Sequence, residues 1–223
     1  MTRPLFDDRN VWIFDVDYTL YGPEAALFEQ VVPRITQFVA QHLDLPQGSA
    51  RELQHKYYLT YGSTLTGMVR HHGVDPHRFC DFVHNIDYGV LRPASALKRK
   101  IAALPGRKLI FTNATLAHAG HVLTGLGLSF DDFDGAFDVE MADWVPKPAA
   151  LTYERITDRF DIDPTKAVFF EDTAKNLETA RQIGWGTVWI KAMQGGLQPN
   201  PGFTADLTVP KIEDALDQIL RSV

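Results

Sequence analysis

The 223-residue chain has little cysteine, no excess of positive charge and no apolar run long enough to span a bilayer. Its single cysteine, Cys80, cannot form an intramolecular disulfide, which excludes a disulfide-framework protein; a buried, packed thiol is expected. With 22 Lys+Arg against 28 Asp+Glu, the net charge of −6 disfavours binding to nucleic-acid polymers or anionic membranes. The first ten residues have no apolar signal core, so we expect a cytoplasmic protein.

Short apolar runs alternate with helical patterns along most of the chain. The predicted strands are Val11–Phe14, Lys108–Phe111, Ala167–Phe170 and Thr187–Ile190. Unbroken apolar runs of this length are typical of parallel strands buried on both faces. Helical spacing is found in residues 118–127, 149–160, 174–183 and 211–220. The alternation predicts a Rossmann-like, doubly wound parallel α/β sheet.

Residues 24–88 interrupt this alternation with helical periodicity and no convincing strand. Pro33 is expected to kink the first helix or to begin a new one, and Gly62 to end a later helix. The segment is too long for a loop between a strand and its helix. We therefore predict an α/β core of residues 1–21 and 92–223, with a helical cap of residues 22–91 inserted after the first strand.

Polar residues stand where the predicted strands end, at the sheet edge where ligands of open α/β folds bind. They are Asp15 and Asp17, Thr112 and Asn113, and Glu171 and Asp172, with Lys147 just ahead of a helix. Each alone is readily a turn or helix-capping residue. Together, clustered acids favour a hard divalent cation such as Mg²⁺, and the lysine and threonine favour a phosphate ligand.

The same residues carry a resemblance to a known family. Residues 14–21 (FDVDYTLY), 111–113 (FTN), Lys147 before Pro148, and residues 170–176 (FEDTAKN) resemble motifs I to IV of the haloacid dehalogenase-like (HAD) hydrolase superfamily. The four motifs occur in order and span nearly the whole chain. The helical insert between motifs I and II is similar in position to a C1-type cap.

The resemblance implies a role for each of these residues. Asp15 is the implied nucleophile, which forms an aspartyl-phosphate, and Asp17 is the implied acid and then base, whose pKa should be raised. Implied phosphate contacts are Thr112, Lys147 and the backbone N–H of Asn113. The implied Mg²⁺ ligands are Asp15, the Asp17 backbone carbonyl and Asp172, with Glu171 either a further ligand or an acceptor for coordinated water. Asn176 stands where many relatives carry an acid.

A narrower resemblance links residues 57–67 (YYLTYGSTLTG) to the cap segment YxxYGxxLRGL of the pyrimidine 5'-nucleotidase group. Thr66 replaces the arginine that is common in that group. The resemblance implies that Tyr57, Tyr61 and Thr66 contact substrate. Aromatic residues over a phosphate site suit stacking on a planar base.

These features predict an Mg²⁺-dependent phosphomonoesterase acting on a small phosphorylated metabolite, with a pyrimidine nucleoside 5'-monophosphate as the first choice. An acid two residues after the nucleophile favours a phosphatase or phosphomutase over a haloacid dehalogenase. Sugar phosphates, phosphoglycolate and pyridoxal phosphate are alternative substrates. A receiver-like phospho-aspartate domain is disfavoured because the nucleophile ends the first strand and a cap follows it. Monomer and homodimer remain open.

Overall fold

A single parallel sheet forms the centre of the protein. The computed structural model describes residues 6–191 and 202–221. Its six strands have the order β3-β2-β1-β4-β5-β6. They are β1 (Val11–Phe14), β2 (Arg107–Phe111), β3 (Gly135–Phe137), β4 (Ala167–Glu171), β5 (Gly186–Ile190) and β6 (Leu207–Val209). The predicted α/β class is confirmed, and β3 and β6 are additional strands of three residues each at the two edges of the sheet.

Nine α-helices flank the sheet or precede β2 in the described part of the chain. They are α1 (Phe28–Leu43), α2 (Gln47–Tyr61), α3 (Thr64–His72), α4 (Pro76–Val83), α5 (Ser95–Ala103), α6 (Leu116–Gly125), α7 (Ala150–Phe160), α8 (Ala174–Gln182) and α9 (Ile212–Leu220). The predicted helix at 118–127 begins two residues earlier, because Thr115 accepts a hydrogen bond from the His118 N–H and caps the helix. None of these helices is long and apolar enough to cross a membrane.

Both faces of the sheet are covered, because successive side chains of a strand point to opposite sides. Trp12 and Phe14 of β1 pack in the cluster that α5, α6 and α9 cover. Val11 and Ile13 pack in the cluster that α7 and α8 cover. This two-sided burial explains why the central strands are apolar at every position.

Helices α1–α4 form an insert, residues 28–83, between β1 and β2, and residues 15–106 contain no strand. The insert has its own apolar cluster, whose fully buried members all lie between Val31 and Val83. Pro33 lies inside α1, so the alternative that it begins a new helix is wrong. Cys80 is buried as expected, and burial raises the pKa of its thiol to about 12.

The domain limits predicted from the sequence stay a prediction. Residues 1–5, 192–201 and 222–223 of the predicted core lie outside the described residues.

The end of α2 lies against the loop that carries Lys147. Gly62 ends this helix with a φ of +76°, a left-handed conformation that favours glycine. A Cβ atom at Gly62 would lie 3.6 Å from Pro148 Cδ and 3.7 Å from the Lys147 carbonyl oxygen. The insert therefore approaches the sheet at the edge where the polar residues lie.

Candidate active site

Three neighbouring strands deliver the polar residues to one edge of the sheet. Asp15 follows β1, Thr112 follows β2, and Glu171 is the last residue of β4. The strands run in register, with Phe14 paired to both Ile110 and Phe170. The predicted convergence of these strand ends is therefore present in the fold.

Lys147 is the centre of a buried hydrogen-bond cluster. Its Nζ donates to Asp15 Oδ1 at 2.8 Å, to Glu171 Oε2 at 2.9 Å and to the Phe111 carbonyl oxygen at 2.9 Å. The side chain is 1% exposed. Burial alone would lower the pKa of Lys147, but the charges of Asp15 and Glu171 outweigh burial and raise it. The ammonium is therefore held charged, with all three of its hydrogens engaged.

Glu171 is saturated with donors. Its Oε2 accepts from Lys147 Nζ and from Asn176 Nδ2, each at 2.9 Å. Its Oε1 accepts from the backbone N–H groups of Asp172 at 3.1 Å and Thr173 at 3.0 Å. Through these contacts Glu171 anchors the Lys147 side chain and the start of α8. They also explain the asparagine at 176, whose amide donates where an acid could not when ionised.

An acidic cluster with too little positive charge lies beside Lys147. One carboxylate oxygen from each of Asp15, Glu171 and Asp172 lies within 4.8 Å of the others. Burial and then the charge of Glu171 raise the pKa of Asp15 to about 7 and raise the pKa of Asp172 well above its usual range. Raised pKa values of this kind mark buried negative charge that Lys147 does not balance. The oxygen donors and the charge deficit fit a hard divalent cation such as Mg²⁺.

Thr112 and Asn113 differ in what they contact. Thr112 Oγ1 accepts from the Ala114 N–H at 3.0 Å, which leaves its own hydroxyl hydrogen available to a ligand. The Asn113 side chain forms two hydrogen bonds with the Lys147 backbone, donating to its carbonyl oxygen at 3.2 Å and accepting from its N–H at 2.8 Å. Asn113 therefore holds the Lys147 loop through its side chain.

Asp17 faces a different set of groups from Asp15. Its Oδ1 accepts from Tyr21 OH at 2.6 Å and from His118 Nε2 at 2.9 Å. Burial alone would raise the pKa of Asp17, but the charge and hydrogen bond of His118, with the hydrogen bond of Tyr21, lower it. The prediction of a raised pKa at this position is wrong for the protein as described, because sequence reasoning did not find His118.

His118 is the main site residue that the sequence analysis missed. It lies on α6, six residues after Thr112, and is 1% exposed. A histidine in the first turn of the helix after a polar strand end is a weak signal, since it points back toward that strand's edge. Its acidic partner lies 101 residues away, so no local pattern reveals the pair.

The three predicted cap contacts lie in the insert, and two of them are paired there. Tyr57 OH lies 2.7 Å from His72 Nε2, and Tyr61 OH lies 2.6 Å from His71 Nε2. Thr66 is half-buried on α3. Their contact with substrate stays a prediction.

A neighbouring tyrosine of α2 is linked to the acidic cluster. Burial, and then the negative charges of Asp172 and Glu171, raise the pKa of Tyr58. The side chain of Tyr58 is half-buried, and the charges of Asp172 and Glu171 act on its hydroxyl.

Comparison with known proteins finds similarity in sequence to a yeast protein and similarity in fold to solved structures. The chain is 25% identical over 198 residues to Phosphate metabolism protein 8 of Saccharomyces cerevisiae, covering 81% of this chain and 61% of the relative, so it spans about three fifths of that protein's length. The solved HAD phosphatase from Thermococcus onnurineus has a TM-score of 0.61 at 17% identity, over 96% of this chain and 98% of that one. The L-2-haloacid dehalogenase of Xanthobacter autotrophicus, with chloropropionic acid covalently bound, has a TM-score of 0.59 at 16% identity, over 95% and 98%.

A match to a family model assigns the chain to a protein family from its sequence. The model of the haloacid dehalogenase-like hydrolases matches residues 10–184, which include every polar strand-end residue described above. The two solved structures share the fold of this chain, with helices before the second strand of the sheet included in the aligned length. The chain therefore belongs to the haloacid dehalogenase-like hydrolases.

Proposed function

We propose that this hydrolase is an Mg²⁺-dependent phosphomonoesterase that works through an aspartyl-phosphate at Asp15. The observation that carries the proposal is the pair of carboxylates with separate surroundings. Asp15 contacts the Lys147 ammonium at 2.8 Å, whereas Asp17 contacts Tyr21 and His118. A nucleophile beside a cation and a second acid held by other donors are the two groups that this reaction needs.

In the first step, a carboxylate oxygen of Asp15 attacks the phosphorus atom of the ester. The new bond joins Asp15 to phosphorus, the bond from phosphorus to the ester oxygen breaks, and Asp17 gives its proton to the departing alkoxide. The Lys147 ammonium stabilises the negative charge of the transferring phosphoryl group through its own charge, and the Thr112 hydroxyl donates a hydrogen bond to a phosphoryl oxygen.

In the second step, Asp17 takes a proton from water and the resulting hydroxide attacks phosphorus. The bond between Asp15 and phosphorus breaks, which releases inorganic phosphate and returns both acids to their starting states. Glu171 keeps Lys147 in place throughout, and we assign it no direct role as a metal ligand, because its four acceptor positions are used.

Mg²⁺ would be held by the carboxylates of Asp15 and Asp172 and by the backbone carbonyl of Asp17. It would supply positive charge to the phosphoryl oxygens and to the acid cluster.

Asp17 also supports a phosphatase over a dehalogenase. A halide leaves as a stable anion and needs no proton, whereas an alkoxide leaving group does need one. Asp17 stands two residues after the proposed nucleophile and accepts hydrogen bonds from two donors, which fits an acid that protonates an alkoxide leaving group.

The proposed substrate is a pyrimidine nucleoside 5'-monophosphate. The support is the similarity of residues 57–67 to the nucleotidase cap segment and the effect of the charges of Asp172 and Glu171 on the pKa of Tyr58. An aromatic ring over a phosphate site suits stacking on a base. We also propose that the insert is a C1-type cap, supported by its place after β1 and by the approach of Gly62 to Lys147.

The test is turnover of p-nitrophenyl phosphate and of a panel of phosphorylated metabolites, with Mg²⁺ and with chelator. We expect Mg²⁺-dependent release of phosphate by the wild type and a loss of at least about 10³-fold in Asp15→Asn. Full activity of Asp15→Asn would remove Asp15 as the nucleophile. If UMP and CMP are no better than sugar phosphates, the nucleotidase specificity is wrong while the phosphatase activity stands.

A further inference from the structure

The carboxylate of Asp17 accepts hydrogen bonds from one donor nearby in the sequence and one far from it. Tyr21 OH, four residues on, and His118 Nε2, on α6, both contact Oδ1, at 2.6 Å and 2.9 Å. Because an ionised carboxylate only accepts hydrogen bonds, Nε2 of His118 carries a hydrogen. Both donors use the same oxygen, so Oδ2 of Asp17 is the oxygen that would take up a proton before Asp17 acts as the acid of the proposed reaction.

The imidazole of His118 is itself fixed by the segment that returns from the insert. Its Nδ1 lies 2.9 Å from Tyr88 OH, and that hydroxyl also lies 3.1 Å from the His84 carbonyl oxygen. The single proton of Tyr88 can go to either acceptor, and His118 Nε2 remains the donor to Asp17 in both arrangements. The ring of His84 stacks on His118 with 4.2 Å between centroids and 27° between planes.

We propose that His118, fixed by Tyr88, is a positioning residue that orients the Asp17 carboxylate for proton transfer to the leaving group. The inference rests on the proposed function, since it concerns the acid of that reaction. His118 can orient this carboxylate because its own ring is fixed. The residue is buried, both ring nitrogens form hydrogen bonds, and the ring is stacked, so the imidazole is held in one orientation. A fixed donor holds the carboxylate in one rotamer, as a proton transfer requires.

The inference predicts a dependence on the leaving group. An alkoxide is a poor leaving group and needs the proton of Asp17, whereas p-nitrophenolate is stable without one. Misplacing Asp17 therefore slows transfer from an alkyl phosphate much more than transfer from p-nitrophenyl phosphate. If His118 only filled space in the core, its loss would lower both reactions alike.

The experiment compares kcat/KM, which reports the steps up to phosphoryl transfer, for the Mg²⁺-loaded protein with both kinds of substrate. The substrates are p-nitrophenyl phosphate and an alkyl phosphate that the wild type hydrolyses. His118→Leu removes the donor, and His118→Gln restores an N–H at about the same reach. Tyr88→Phe removes one hydroxyl and keeps the ring. The matched control is His121→Leu, an exposed residue of the same helix whose ring contacts Tyr88 and which has no contact with Asp17.

We expect His118→Leu to lower kcat/KM by about 10- to 100-fold for the alkyl phosphate and by less than about 3-fold for p-nitrophenyl phosphate. The larger loss is a part of the acceleration by a general acid, which is about 10²- to 10⁴-fold in total. His118→Gln should recover most of the loss, and Tyr88→Phe should show a smaller loss with the same substrate preference. The control should match the wild type.

Two results would overturn the inference alone: equal losses on both substrates, or a His118→Gln variant as poor as His118→Leu. A wild type that hydrolyses neither substrate would overturn the proposed function, and the inference with it. Thermal melting of each variant identifies a protein that has not folded. If His118→Leu fails in this way, Tyr88→Phe decides the question, and no change in its substrate preference would overturn the inference.

Discussion

The Lys147 ammonium lies 2.8 Å from the Asp15 carboxylate, and both side chains are almost completely buried. A buried ion pair contributes little net stability over apolar residues, but breaking it leaves a buried charge without a partner. The same contact thus serves two purposes here. It opposes the rise in the pKa of Asp15 that burial and Glu171 cause, and it makes the folding of the core depend on the polar cluster at the sheet edge.

We expect Lys147→Met to lower the free energy of unfolding of the metal-free protein by about 3–5 kcal/mol, because Asp15 and Glu171 both lose their cation. Urea denaturation at neutral pH measures the change. Lys98→Met is the matched control, since Lys98 forms a partly exposed ion pair with Asp132, and its loss should cost less than about 1 kcal/mol. Equal losses in the two variants would show that the buried cluster does not depend on Lys147.

Mg²⁺ should stabilise the protein against heat through the acidic cluster. At about 100 times the dissociation constant, binding contributes about 2.7 kcal/mol, which raises Tm by about 5–10 °C for a chain of this size. Asp172→Asn should lose most of this shift, as measured by differential scanning fluorimetry. Asp217→Asn, on the outer surface of α9, is the control and should keep it. A full Mg²⁺ shift in Asp172→Asn would place the cation elsewhere.

The buried imidazole of His84 should make the free energy of unfolding depend on pH below about 6.5. Burial, and then the charge of His118, lower the pKa of His84 to about 3, from a usual 6.5. Between these values the unfolded chain binds a proton that the folded chain does not, so the stabilising effect is present above pH 6.5 and is lost as pH falls toward 3. The loss is at most about 1.4 kcal/mol per pH unit.

His84→Phe keeps a ring against His118 and removes this titration. We expect its free energy of unfolding to fall less steeply than that of the wild type between pH 6.5 and 4, as measured by urea denaturation. His121→Phe, an exposed substitution on α6, should follow the wild type. Parallel curves for all three proteins would contradict the assignment to His84.

Tyr58 should affect aromatic substrates selectively. Loss of a stacking partner costs about 1–3 kcal/mol, so Tyr58→Leu should raise KM for a nucleoside monophosphate by about 5-fold or more. KM for a sugar phosphate should change by less than about 2-fold, because it has no base to stack. Leu59→Ala, an exposed residue next along α2, is the control. An equal rise in KM for both substrates would argue against stacking at Tyr58.

The sequence predicts the sheet's central strands because each is a compact apolar run buried on both faces. β3 and β6 were not predicted because three residues are too few to show a pattern, and Gly135-Ala136-Phe137 carries none. Asp15, Thr112 and Glu171 could be placed together because the carboxyl ends of parallel strands share one edge. His118 and Tyr88 could not, since their contact with each other and the contact of His118 with Asp17 depend on helix rotation and on the path of the insert. Tyr21 lies only four residues after Asp17, but that spacing does not show that its hydroxyl turns back to the carboxylate.

The contacts of each residue in the acidic cluster could also be known only from the three-dimensional structure. The sequence leaves Glu171 open between a metal ligand and a supporting acceptor. The four donors around it show that Glu171 anchors Lys147 and the start of α8, and one of them is Asn176, which stands where many relatives are expected to carry an acid. Distances of this kind have no sequence signature.

The separate apolar cluster of the insert has a consequence for how such an enzyme diversifies. Its fully buried side chains all come from residues 31–83, whereas the sheet is buried by two other clusters. A substitution inside the insert is therefore absorbed mainly by packing within the insert. Side chains in this part of the chain can change over generations while the strands that carry Asp15, Thr112 and Glu171 keep their scaffold unchanged.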